Sequence, residues 1–203
     1  MKIFCVGRNY AAHAAELQNA LPDDPVIFIK PSSALLVNEK PFYYPPFTHD
    51  LHHEIELVLR ICKNGKGVEK AFAHTYYDAI GLGIDFTARD LQQKQKEKGL
   101  PWEIAKAFDN SAVMGQFKPK EDLANMKDIS FSLKKNGVVA QQGNSGMMLY
   151  DFDTIICYVS QFFSLLKGDY IFTGTPAGVS AVKPGDLLEG YIGDERLLFC
   201  EVR

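Results

Sequence analysis

His53-Glu54-Ile55-Glu56-Leu57-Val58-Leu59-Arg60-Ile61 puts Ile55, Leu57, Leu59 and Ile61 at every second position. That period predicts a strand half buried against a core, with the four apolar side chains on its inner face. The other face begins with Glu54 and Glu56, which point the same way and stand roughly 7 Å apart along the strand. Two carboxylates side by side repel each other unless something positive lies between them. Either they are the solvated face of an edge strand, or they hold a divalent cation. Farther on, Ala79 to Phe86 reads as a buried strand ending in Asp85, which offers a third oxygen ligand. Three carboxylates without a cysteine favour Mg2+ or Mn2+ over zinc. Of the neighbouring histidines, His52 shares the carboxylate face and His53 points with the apolar set. Both suit packing or support behind the ligands better than ligation.

Outward from this segment the chain reads as short strands and shorter helices. Lys2 to Gly7 is extended, and the alanine-rich Tyr10 to Gln18 favours helix. Val26 to Lys30 is a second apolar run stopped by Pro31, and Pro41, Pro45 and Pro46 mark loop or edge strand. Thr87 to Lys98 is a polar helix with Thr87 as its N-cap, Asp90 in a capping-box position and Gly99 as its stop. In Ser130 to Gln142, Asn136-Gly137 between two alternating runs predicts a hairpin with a type I′ turn. Asp153 to Lys167 is the one long amphipathic helix, with Ile155, Ile156, Val159, Phe162, Phe163 and Leu166 on its apolar stripe. Tyr170 to Thr173 is a strand, followed by the tight turn Gly174-Thr175-Pro176-Ala177-Gly178. One mixed domain over residues 1–203, α+β but mostly β with a few short helices, is the expectation.

The 203 residues are 46% hydrophobic, enough for a full core, and carry a net charge of -3. That balance lacks the basic footprint of a nucleic-acid or acidic-membrane binder. Four scattered cysteines, Cys5, Cys62, Cys157 and Cys200, without a Cys-x-x-Cys, suit reduced thiols and a cytoplasmic setting. Several side chains offer chemistry. His13 and Glu16 are three apart on a helix and share a face, as a general base with its orienting carboxylate or as a surface pair. Lys106 lies among Ile104, Ala105, Ala107 and Phe108, either facing an anion from apolar surroundings or snorkelling to solvent. Arg8 follows the first strand, where a guanidinium can meet a carboxylate bidentately. The amides and the Thr175 hydroxyl of the 174–178 turn either bind an anion or only reverse the chain.

Six stretches in order resemble one family. They are Val6-Gly7-Arg8-Asn9-Tyr10 with His13 and Glu16; Phe28-Ile29-Lys30-Pro31-Ser32; His52-His53-Glu54-Ile55-Glu56-Leu57; Asp85-Phe86-Thr87-Ala88-Arg89-Asp90-Leu91-Gln92; Lys98-Gly99-Leu100-Pro101-Trp102 with Lys106; and Thr173-Gly174-Thr175-Pro176-Ala177-Gly178-Val179. Together they resemble the fumarylacetoacetate hydrolase family, in its short single-domain members of the acylpyruvase and oxaloacetate-decarboxylase type. The resemblance implies a mixed β-sandwich roll and a homodimer. It also implies that Glu54, Glu56 and Asp85 hold Mg2+ or Mn2+, and that His13 and Glu16 polarise a hydrolytic water. Lys106 and Gln92 then match substrate contacts, and Arg8 and Thr175 match groups near the substrate carboxylate. The implied reaction cleaves the C–C bond of an acylpyruvate, such as acetylpyruvate or fumarylpyruvate, to pyruvate and a carboxylic acid through a metal-stabilised enolate. The alternatives on the same site are an oxaloacetate decarboxylase and a 2-oxo acid isomerase or tautomerase. Outside catalysis, a dicarboxylate-binding protein is the remaining reading.

Overall fold

In the computed structural model, which describes residues 1–18, 20–37 and 39–203, strands dominate. The first third holds β1 (Ile3–Gly7), α1 (Ala11–Glu16), β2 (Val26–Lys30), β3 (Leu35–Leu36), β4 (Leu51–His53) and β5 (Ile55–Ile61). Next come α2 (Lys70–Ala73), β6 (Tyr77–Asp85), β7 (Thr87–Ala88), α3 (Arg89–Glu97), α4 (Glu103–Lys106) and β8 (Ala112–Pro119). The rest is β9 (Ser130–Lys135), β10 (Val138–Asn144), α5 (Phe152–Phe162), β11 (Tyr170–Phe172), β12 (Ser180–Ala181), β13 (Leu187–Ile192) and β14 (Glu195–Glu201). Seven strands form a mixed sheet in the order β2-β1-β11-β5-β6-β8-β3, beside a four-stranded sheet β10-β9-β13-β14 and a small one, β12-β4-β7. This is the mostly β roll that the sequence led us to expect. Among the described residues no helix is long and apolar enough to cross a membrane.

β5 lies at the centre of the large sheet, paired with β11 on one side and β6 on the other. Ile55, Leu57, Leu59 and Ile61 join the main apolar cluster, as the alternation predicts. Val58 faces the other way into a second cluster with Ile3, Cys5, Ala112 and Phe172. The strand is therefore buried on both faces and not half exposed, which ends the edge-strand reading of Glu54 and Glu56. The sheets meet closely where β8 passes β14: a Cβ on Gly115 would lie 2.4 Å from the Leu197 carbonyl oxygen, so no larger side chain fits there.

Two helices differ from expectation for tertiary reasons. Thr87 is not an N-cap; it pairs with His52 as part of β7, and the helix starts at Arg89. Asp90 closes no capping box, because its carboxylate accepts from the Thr48 hydroxyl and the His49 amide, anchoring the loop that leads into β4. The long helix begins with Asp151 as N-cap, accepting from Thr154 N–H, but stops at Phe162, well short of Lys167. Beyond it Leu165 exchanges backbone hydrogen bonds with Gly65, which pulls the chain out of helical geometry. Leu165 is consequently buried, while Phe162 and Leu166 of the expected stripe face solvent. The Asn136-Gly137 hairpin forms as predicted, with both residues at positive φ.

Candidate active site

Glu54 follows β4, Glu56 lies in β5 and Asp85 ends β6, and pairing of β5 with β6 brings the three together. One carboxylate oxygen from each lies within 4.8 Å of the others, and all three residues are buried. Buried carboxylates at this separation need positive charge, and part of it comes from lysine and arginine. Lys106 Nζ donates to Glu54 Oε2 at 2.7 Å, Asp85 Oδ2 at 2.6 Å and Thr87 Oγ1 at 2.6 Å. Arg89 Nη2 donates to Glu54 Oε1 at 2.6 Å. Lys30 Nζ forms a buried ion pair with Asp85 Oδ1 at 2.7 Å, without hydrogen-bond geometry.

The protonation equilibria record this imbalance. Burial works against the Glu54 carboxylate, yet Lys106, Arg89 and His13 outweigh it and hold the group well below the usual range. Among the described residues Glu56 has no ion-pair partner. Burial and the charges of Asp85 and Glu54 push its carboxyl well above the usual range, against a 2.6 Å hydrogen bond from Gly174 N–H. For Lys106, burial discourages charge, but Asp85 and Glu54 prevail and keep the ammonium above its usual range. The donor set is all oxygen, Asp85 Oδ1 accepts no hydrogen bond, and among the described residues Glu56 has no ion-pair partner. These residues therefore fit a hard divalent ion such as Mg2+ or Mn2+.

Around the triad lies a narrow cleft. Its lining includes every expected site residue except Glu16, which stands behind His13. His13 Nδ1 lies 3.4 Å from Glu16 Oε2, a long contact, and Glu16 is in turn held by Gly178 N–H at 3.0 and 3.2 Å. The tautomer donating Nδ1–H to Glu16 leaves Nε2 as the basic atom. Gln92 Oε1 accepts from Arg89 Nη1 at 2.6 Å. Thr175 donates its hydroxyl proton to the Ile55 carbonyl at 2.8 Å, and the amides of its turn serve protein carboxylates, Glu56 through Gly174 and Glu16 through Gly178. Gly174 has φ +107, and a Cβ there would meet Asn9 Cβ at 2.7 Å, so this close approach requires glycine.

Burial pushes the His13 imidazole below its ordinary value of 6.5, with Glu54 and Glu16 opposing that shift. The base form therefore persists below pH 6.5. We expect the acid limb of kcat/KM to fall below that pH, and to move lower still in Glu16→Gln, because Glu16 pulls the value upward. A limb at or above 6.5 in the pH profile would contradict the assignment of His13 as base.

Three residues were missed as parts of the site. Lys30 is fully buried and, besides facing Asp85, donates to the Lys106 carbonyl and to Ser111 Oγ, fixing the end of α4. The legible signal was a lysine ending the apolar run 26–30. Arg89 was hidden by the helix-cap reading of its neighbour. Gln141 had no local signal. Its Oε1 accepts from His53 Nδ1 at 2.8 Å and Ile55 N–H at 3.0 Å, and its Nε2 donates to Thr175 Oγ1 and the Pro176 carbonyl. One buried amide thus ties the ligand strand to the 174–178 turn. His53 completes the network through Ser180 and is no ligand, while His52 pairs with Asp50. Gln141→Leu strands several buried polar groups at roughly 1–3 kcal/mol each, so urea unfolding should reveal a loss of about 3–5 kcal/mol.

Residues 2–201 match the family described as fumarylacetoacetate (FAA) hydrolase, C-terminal. The chain is 43% identical over 190 residues to the mitochondrial oxaloacetate tautomerase of Bos taurus, covering 94% of this chain and 86% of that protein. It is 39% identical over 189 residues to the mitochondrial oxaloacetate decarboxylase of Dictyostelium discoideum, covering 93% and 87%. Among solved structures, fumarylpyruvate hydrolase from Pseudomonas aeruginosa in complex with Mn2+ and pyruvate superposes with a TM-score of 0.93 at 36% identity, covering 100% of this chain and 89% of that one.

Proposed function

This chain belongs to the fumarylacetoacetate hydrolase family, and from that premise we propose that it is a divalent-metal enzyme that forms and protonates the enolate of a small 2-oxo acid. Keto–enol interconversion of oxaloacetate is the leading reaction. The sequence reading put C–C hydrolysis of acylpyruvates first and tautomerase or decarboxylase second; relatives with oxaloacetate in their names favour the second place. Hydrolysis stays as the other reading, favoured by the His13–Glu16 pair and by the fumarylpyruvate hydrolase neighbour.

The observation that carries the proposal is the buried triad of Glu54, Glu56 and Asp85 facing Lys106 and His13 in one cleft. The triad would hold Mg2+ or Mn2+, which when bound supplies a Lewis acid that polarises the 2-oxo group. Lys106 Nζ, already directed at two ligand oxygens, is placed to share the negative charge that develops on the enolate oxygen. His13 Nε2 takes the proton from C3 of the substrate and returns it to carbon or oxygen, and Glu16 keeps the ring in that tautomer. Trp102, Phe28 and Leu17 give the cleft an apolar wall. In the hydrolytic reading His13 deprotonates a water that adds to the distal carbonyl carbon. The C–C bond then breaks and leaves the enolate of pyruvate, with the acyl group released as a carboxylic acid. The four free cysteines suit a reducing compartment such as the cytoplasm. A homodimer that binds neither nucleic acid nor membrane completes the proposal.

The test is to strip the purified protein with EDTA and assay enol–keto conversion of oxaloacetate, carbon dioxide release from it, and pyruvate release from acetylpyruvate and fumarylpyruvate. Each is run with and without Mg2+ or Mn2+. Metal-dependent tautomerisation supports the leading reading. Metal-dependent pyruvate release from an acylpyruvate alone transfers the proposal to hydrolysis. No turnover with metal bound overturns both.

A further inference from the structure

Lys96 sits in the last turn of α3, lines the cleft and is half buried. Its ammonium stands 5.9 Å from the Trp102 ring, so the side chain runs along the cleft wall. The ion pairs of the cleft join Arg89 and Lys106 to Glu54, and Lys106 and Lys30 to Asp85. Among the described residues Lys96 and Arg8 have no carboxylate partner, although both line this cleft. The carboxylate of Glu54 is already claimed at both oxygens. Burial, then repulsion from Arg8, Arg89 and Lys106, push the Lys96 ammonium down to about 8, against an upward pull from Glu54. Among the described residues no carboxylate pairs directly with this charge, so an incoming anion gains there. Arg8 adds an independent sign: it holds φ +59, a left-handed conformation costly for a long side chain such as arginine and found at functional sites.

We propose that Lys96 and Arg8 form a seat for a second carboxylate, so that the cleft selects 2-oxo dianions over 2-oxo acids with an uncharged tail. The inference rests on the enolate-forming reading, which places the 2-oxo end of the substrate at the triad beside Lys106. The far end of the substrate then faces the rest of the same cleft, whose cations without an ion-pair partner among the described residues are these two. A carboxylate there exchanges cation–cation repulsion for two charge-assisted contacts, whereas a methyl end leaves that repulsion in place. Lys96 is the specificity-determining member, because its neutral isostere keeps the packing on Trp102 and removes only the charge.

Two ligands of equal chain length without a β-carbonyl test this: 2-oxoglutarate, a dianion, and 2-oxopentanoate, a monoanion. Binding of each to the Mn2+-loaded protein is measured by calorimetry. The wild type should bind the dianion at least about tenfold tighter, the scale of one charge-assisted contact. Lys96→Met should lose about that factor for the dianion alone, and Lys96→Arg should restore most of it. Discrimination unchanged in Lys96→Met overturns the seat, even if oxaloacetate is turned over. Discrimination lost in Lys96→Met in a protein that turns over no 2-oxo acid supports the seat and sinks the enolate reading instead.

Discussion

Glu56→Gln should abolish metal-dependent turnover, with a loss of at least about 10³-fold, and with it the stabilisation by added metal. Glutamine keeps an oxygen for the Gly174 amide, so the turn stays closed while the triad loses the carboxylate that has no ion-pair partner among the described residues. A ligand that binds only the folded state at a hundred times its Kd stabilises by about 2.7 kcal/mol, or roughly 5–10 °C in a protein of this size. Thermal melts should record that rise for the wild type with Mn2+ and none for Glu56→Gln. Without metal the variant should melt no lower than the wild type, because it relieves repulsion among three buried acids. Retention of the full Mn2+ shift would remove Glu56 from the ligand set.

His13→Ala should lower tautomerisation of oxaloacetate by about 10²–10⁴-fold, the usual contribution of a positioned general base. Glu16→Ala should cost less, since the imidazole remains and only its orientation is freed. Their contact is long at 3.4 Å, but Glu16 is itself clamped by Gly178, so the carboxylate has little freedom to drift. Loss of carbon dioxide from oxaloacetate needs no base, and both variants should spare it. Acylpyruvate hydrolysis, which needs an activated water, should fall together with tautomerisation. Stopped-flow absorbance of the enol and coupled assays of carbon dioxide and pyruvate separate these rates. Equal loss of decarboxylation in either variant would mean that the pair supports the architecture of the cleft instead of moving a proton.

What could be read beforehand divides by range of interaction. The period of residues 55–61 reported one apolar face correctly, but Val58 on the opposite face was uninterpretable until β1, β8 and β11 supplied the second cluster. Thr87 looked like a helix cap because its neighbours are helical. It became a strand residue because β4 offered it a backbone partner, and its hydroxyl went to Lys106. Phe162 and Leu166 matched a helical stripe, but Gly65 captured the chain first. Each of these differences is a local preference worth a few tenths of a kcal/mol yielding to backbone pairing across the fold.

By itself, the sequence determined the mostly β class, the Asn136-Gly137 hairpin and the oxygen-rich character of the site, because these depend on residue type, side-chain period and turn chemistry over a few positions. It also placed Glu54, Glu56 and Asp85 at the ends of strands where they could meet. Only the tertiary structure decided that they do meet, that Lys30, Lys106 and Arg89 share their charge, and that Gln141 binds the ligand strand to the turn holding Glu16 in place. Those outcomes join residues up to 162 positions apart. Distances across such separations are set by how sheets pair and pack, and no local pattern encodes them.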